Sequence, residues 1–188
     1  MKRFISVLII LCLVLGGCAA PPKDAEKRYT ATFLTLFDTV TTIVGRSDGE
    51  DVFQTQAQAI HDDLLVYHQL FDIYNDYDGL NNLKTVNDQA GIAPVQVDQK
   101  IIDLLKDCKT YYNLTGGKVN VAMGSVLLLW HEARTAGIND PASAALPDRN
   151  ALETAAGHWD LDAVIIDEEA STVYISDPAL RLDVGAVA

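Results

Sequence analysis

TGGKVNVAMGSVLLLWHEAR, residues 115–134, reads as neither an ordinary core helix nor an ordinary loop. Gly116, Gly117 and Lys118 run into a small-residue apolar stretch that ends at Trp130 and His131. Glycine admits positive φ and lets another group come close to the backbone. One reading therefore lays a large, flat ligand against this turn. The plainer one has the glycines joining a helix to the core. Ser125, inside the same stretch, has no evident base in the sequence, and its small neighbours point to tight packing rather than to a nucleophile.

Outward from this stretch the chain alternates. YTATFLTLFDTVTTIV (29–44) is rich in Thr, Val, Ile and Phe and reads as one long strand or two. From Asp51, apolar residues recur at Phe53, Ala57, Ile60, Leu64, Tyr67 and Phe71, the spacing of an amphipathic helix. Asp98 is a good N-cap for a second helix, with Ile101, Leu105, Cys108 and Tyr112 on one stripe. A short helix should run from about Pro147 to Ala156 and stop at Gly157. Ala163–Ile166, Thr172–Ile175 and Leu180–Val184 are strand-like runs separated by acidic or proline turns. Without a regular βαβ rhythm, the mixture predicts an α+β fold.

The amino terminus carries an export signal. Lys2 and Arg3 precede an apolar run from Phe4 to Leu15, too short to span a bilayer, that closes on Leu15-Gly16-Gly17-Cys18. Residues 1–17 are read as a signal peptide. The small residues before cysteine resemble a bacterial lipobox, which implies a lipid such as palmitate on Cys18 and a protein anchored on the extracytoplasmic face of the membrane. A plain secretory signal with an incidental cysteine is the alternative. Residues 18–28, with Pro21 and Pro22, read as a tether, and 29–188 as the folded part. Cys12 leaves with the signal, so only Cys108 is left as a possible free thiol and no disulfide framework exists.

The net charge is −12 over 188 residues, and −14 once Lys2 and Arg3 are removed. That disfavours nucleic acid and anionic lipid as partners of the folded part. With 49% hydrophobic residues there is enough apolar material for a domain core. YNDYDGLNNLKT (74–85) superficially suggests a calcium loop, but Tyr74 and Thr85 stand where the opening aspartate and closing glutamate belong. His131-Glu132 begins like a zinc-protease helix, yet Thr135 takes the place of the second histidine. His61 and His68 can share a helix face, but without a third ligand they read as packing or surface residues. No GxSxG, P-loop or GxGxxG is present.

Taken in order, the lipobox, FDTVTTIVG (37–45), LFDIYNDYDGLNNLKTVN (70–87), TGGKVNVAMGSVLLLW (115–130), PDRNALETA (147–155) and LRLDVGAVA (180–188) resemble the ApbE family of FAD:protein FMN transferases. The resemblance covers nearly the whole chain after the signal. It implies an α+β enzyme that splits FAD with magnesium, releases AMP and joins FMN to a Thr or Ser hydroxyl of an acceptor flavoprotein, such as a membrane respiratory subunit. By the same resemblance Lys118, Val119 and Asn120 contact FAD, with Asn120 replacing a usual aspartate. Tyr74 does so as a stacking aromatic, a role Tyr77 is also placed to fill. Phe37, in place of a usual methionine, and Asp183 complete the FAD set. Ala186 matches a magnesium ligand that acts through its backbone carbonyl. No catalytic residue is assigned.

The family continues past this last motif with further metal ligands, so the 188 residues are read as an amino-terminal portion, inactive by itself. The alternatives are a membrane-anchored flavin-binding lipoprotein without catalysis and a lipoprotein that only docks partners.

Overall fold

The computed structural model describes residues 27–185 and 187. The lipobox cysteine Cys18, the signal and most of the tether lie outside the described residues, as does Ala186. Two compact units meet in sequence at Asp62/Asp63.

The first unit is a hairpin with a helix. β1 (Lys27–Leu36) pairs antiparallel with β2 (Thr39–Ser47), so the long extended stretch is two strands. Phe37 and Asp38 form the connection with φ of 54° and 51°, the positive pair that a two-residue hairpin loop requires to match strand twist. α1 (Glu50–Phe71) starts on Glu50 and Asp51, acidic residues that suit the positive end of the helix dipole. Its Phe53 and Ala57 pack with Ala31, flanked by Tyr29, Phe33 and Ile43. Phe53 stacks on Tyr29 at 5.6 Å between ring centroids.

The second unit holds the larger core. α2 (Leu83–Asp88) opens on a capping box in which Asn82 accepts from the Thr85 amide while the Thr85 side chain takes the Asn82 amide. α3 (Gln99–Leu114) starts at the expected cap, Asp98, and buries Ile101, Ile102, Leu105 and Cys108. β3 (Val95–Gln96), β5 (Thr172–Ile175) and β4 (Val164–Asp167) form a small antiparallel sheet in the order β3-β5-β4. α4 (Gly124–Asn139) and α5 (Arg149–Ala155) complete the set. Asp148 caps α5, so Pro147 lies just before the helix rather than at its first turn. Helices and small antiparallel sheets together make the predicted α+β fold.

One expectation is corrected. Leu180–Val184 is not a strand. Its alternation is real, for Leu180, Leu182 and Val184 are buried. The partners are not strands, however. The Leu182 amide donates to Asn87 Oδ1 at 2.7 Å, and Asn87 Nδ2 donates to the Leu182 carbonyl at 3.0 Å. On either side, the Asp183 amide donates to the Val121 carbonyl and the Gly124 amide to the Arg181 carbonyl. A buried side chain, a turn and a helix start thus do what a neighbouring strand would do.

Candidate functional site

The segment 181–183 forms one wall of a cleft of about 180 Å³, wholly within the second unit. Ile73, Tyr74 and Leu128 give it an apolar side, while Lys84, Asn87, Asp88, Arg181 and Asp183 give it a polar one. Gly124 makes the wall possible. A Cβ at this position would lie 2.5 Å from the Arg181 carbonyl oxygen, so only glycine lets α4 begin against that backbone.

Tyr74 is presented by a loop organised around one carboxylate. Asp72 Oδ1 accepts from the amides of Tyr74 (2.6 Å) and Asn75 (3.1 Å), and Oδ2 accepts from Asn75 Nδ2 and the Tyr77 hydroxyl. Burial pushes the Asp72 carboxyl up, but the Asn75 side chain and the other donors outweigh it and hold the group below its ordinary value. The two candidate tyrosines differ in setting. Tyr77 is half-buried, with its hydroxyl on Asp72, whereas Tyr74 is 47% exposed and lines the cleft. The Tyr74 ring also stacks on His131 of α4, centroids 4.9 Å apart and planes at 24°.

The cations of the cleft are already engaged. Lys84 Nζ lies 2.7 Å from Asp88 and 3.1 Å from Asp76, and these carboxylates, Asp88 foremost, raise its pKa above that of an ordinary lysine. Arg181 donates to the carbonyls of Pro178 and Leu180. Asp183 Oδ1 accepts from the Gly185 amide at 3.0 Å. Two cations, Lys84 and Arg181, and two carboxylates, Asp88 and Asp183, thus share the lining of the cleft. At about 180 Å³ it is smaller than the roughly 300–1,000 Å³ of pockets that hold a whole drug-sized ligand.

Tyr74 and Asp183, from separate motifs, are thus brought together. Phe37 belongs to the hairpin unit, at the tip of the β1–β2 turn. Lys118, Val119 and Asn120 follow α3 and do not line the cleft. Lys118 is exposed, and the Val119 amide donates to Thr115 Oγ1. Asn120 accepts from the Ala122 amide and donates to the Trp159 carbonyl, each at 2.9 Å. Its side chain caps a 3-10 turn, Val121–Met123, and ties it to the loop after α5.

The glycines before this turn have local work. Gly116 and Gly117 stand at φ 60° and 81°, and the Gly117 amide reaches back to the Tyr112 carbonyl at 2.8 Å, closing α3. Ser125 donates to the Ala179 carbonyl at 2.6 Å, as a packing residue does. Asn87, Lys84 and Arg181 were missed as site residues. The one signal for Asn87 was a polar residue closing the NLKTVN run.

Among the described residues no three His, Cys, Asp or Glu side chains converge to hold a metal. Magnesium, implied by the resemblance, is thus not accommodated by the described side chains alone. No step is routed through it below.

Solved structures fix the class of this fold. The ApbE protein of Thermotoga maritima superposes with a TM-score of 0.68 at 22% identity, over 86% of this chain and 48% of that one. The apo flavinyl transferase ApbE of Pseudomonas stutzeri gives 0.63 at 15% identity, over 88% and 49%. The ApbE family model matches residues 37–188, and the chain belongs to that family. Among curated proteins it is similar to the FAD:protein FMN transferases of Treponema pallidum (33% identity over 111 residues, 56% of this chain and 29% of that protein) and Klebsiella pneumoniae (28% over 134 residues, 68% and 40%). The chain spans about half the length of the solved structures and less than half that of these curated relatives.

Proposed function

We propose that these residues form the FAD-facing amino-terminal portion, 29–188, of an FAD:protein FMN transferase. The observation that carries this reading is the convergence of Tyr74 and Asp183 in one cleft, against a family match over residues 37–188. Tyr74 offers a ring face to a planar heteroaromatic portion of FAD. Asp183 offers a carboxylate oxygen to a ring or ribose donor. Asn87 and Gly124 act indirectly, by fixing the backbone of 181–183.

The reaction would join the FMN phosphate to an acceptor Thr or Ser oxygen as the pyrophosphate bond breaks, with AMP and the hydroxyl proton departing. The resemblance also implies magnesium, whose ligands would lie beyond the described side chains. The acceptor is a flavoprotein, in this reading a membrane respiratory subunit. A lipid on Cys18 would hold the enzyme on the extracytoplasmic membrane face, with 1–17 removed as a signal and 18–28 as the tether. Cys18→Ser should release the protein from the membrane or leave its signal uncleaved, and a processed, membrane-bound mutant would refute the anchor.

The activity is tested with the protein at its natural full length, FAD, magnesium and an acceptor protein bearing the hydroxyl. Covalent flavin fluorescence should appear on the acceptor after denaturing electrophoresis and fall with Asp183→Ala. Tight FAD binding without any labelling would leave a flavin-binding module and refute transfer.

A further inference from the structure

Both cations of the cleft are engaged, but to different degrees. Lys84 Nζ sits between the carboxylates of Asp88 and Asp76. Arg181 commits a single nitrogen: Nη1 donates to the carbonyls of Pro178 and Leu180, each at 2.8 Å. Among the described residues its Nε–H and Nη2–H have no acceptor, and no carboxylate comes within ion-pair distance of the guanidinium. Arg181 and Asp183 are half-buried where Leu180, Leu182 and Val184 are buried, so the two share the face of the segment turned away from the core, and both line the cleft.

The carbonyls that hold Arg181 are themselves fixed. Asp177 accepts from the Ala179 amide through Oδ1 at 2.9 Å, and its Oδ2 lies 2.7 Å from His158 Nδ1. Ser125 of α4 donates to the Ala179 carbonyl. Pro178 packs on Gly91, where a Cβ would lie 2.5 Å from the proline ring. The loop is thus tied down from three other parts of the second unit.

We propose that Arg181 binds a phosphate of the dinucleotide, two of whose oxygens take the Nε–H and Nη2–H edge. The proposal rests on the reading of the cleft as an FAD site. That edge presents two parallel N–H groups at the spacing of phosphate oxygens, and the guanidinium carries its charge at every working pH. A half-buried cation without a counter-charge is costly in this protein's interior, and an anionic ligand removes that cost. Because Nη1 is anchored before the ligand arrives, little side-chain freedom is lost on binding. Asp88 and Asp183 share the lining and work against an anion, so the contact needs the whole fork, and lysine should not replace arginine.

The test is titration of the full-length protein with FAD at low and at high KCl. Arg181→Gln should weaken FAD binding about ten- to hundredfold at low salt, the range of hydrogen bonds to a charged group, and should flatten the salt dependence, since the screened charge is gone. Arg181→Lys keeps the charge without the fork, so it should retain the salt dependence yet bind about threefold or more weaker than wild type; it decides alone if the glutamine variant fails to fold. A loss in Arg181→Gln that is equal at both salt concentrations would overturn the phosphate contact and leave Arg181 as a brace for its loop. Wild-type affinity in either variant would also overturn it, with FAD binding itself still standing. Wild-type protein that binds no FAD would remove the reading of the cleft and this proposal together.

Discussion

Replacing Asn87 by alanine should be among the most damaging single changes in the second unit, because one buried side chain satisfies both backbone groups of Leu182. Asn87 is 6% exposed and Leu182 fully buried, so water does not reach the vacated groups without a local opening. Each buried group left without a partner costs about 1–3 kcal/mol, and partial relief by an entering water brings the pair to about 2–4 kcal/mol. Urea unfolding measures that loss. Hydrogen exchange at the Leu182 amide locates it, since this amide should lose protection well before those of α3. Asn87→Asp is the control. It keeps an acceptor for the Leu182 amide but sets a second oxygen against the Leu182 carbonyl, so it should be no better than alanine. An alanine variant within about 0.5 kcal/mol of wild type, with the Leu182 amide still protected, would show that 180–184 is held some other way.

Gly124→Ala should lower stability by about 1–3 kcal/mol despite alanine's better helix propensity, because α4 must back away from Arg181; thermal melting measures the loss, and FAD affinity should fall with it. Gly117→Ala, at φ 81°, should cost about 1 kcal/mol through the end of α3, and an unchanged melting temperature would argue against that helix closure. The depressed pKa of Asp72 means that its ionised form stabilises the fold above the ordinary value of 3.8 and that this contribution disappears as pH falls through and below it. The stability gap between wild type and Asp72→Asn, followed by urea unfolding across pH, should therefore be widest near neutrality and close in acid. Cys108 is buried, and burial pushes its thiol up to about 11, so a thiol reagent at pH 8 should label it only when urea unfolds the protein.

The elements legible in the sequence were those whose signal is local. The α1 helix, the α3 stripe, the Asp98 cap and the β4–β5 pair follow from spacing and turn chemistry over a few residues, although Ile60 and Tyr67 of the expected α1 stripe are exposed and Leu70 is buried in their stead. α2 has six residues, too few for a periodic pattern, and is nucleated by the Asn82–Thr85 box rather than by an apolar face. α4 escaped for the opposite reason. Its N-cap position, Met123, gives no side-chain bond, and Gly124 is the one buried residue it contributes, so no polar–apolar division marks its phase. Leu180–Val184 was misread because the period of two is shared by any extended segment with one buried face. Its partner, Asn87, lies 95 residues away and is a side chain. Tyr74 and Asp183, which share the cleft, were singled out through motif resemblance, which carries long-range information that periodicity lacks. Lys84 and Arg181 became visible as neighbours only in three dimensions.

The placement of the two tryptophans gives the protein an uneven optical voice. Trp130 on α4 and Trp159 after α5 are 45% and 46% exposed, and both belong to the second unit. Their emission should be red-shifted and open to quenching by iodide while the chain is fully folded. The first unit contributes no indole, only Tyr29 against Phe53. A melting curve recorded by tryptophan emission therefore speaks for the unit with the cleft and is silent on the hairpin. Circular dichroism follows both, and a difference between the two curves would reveal whether β1 and β2 part from one another ahead of the rest.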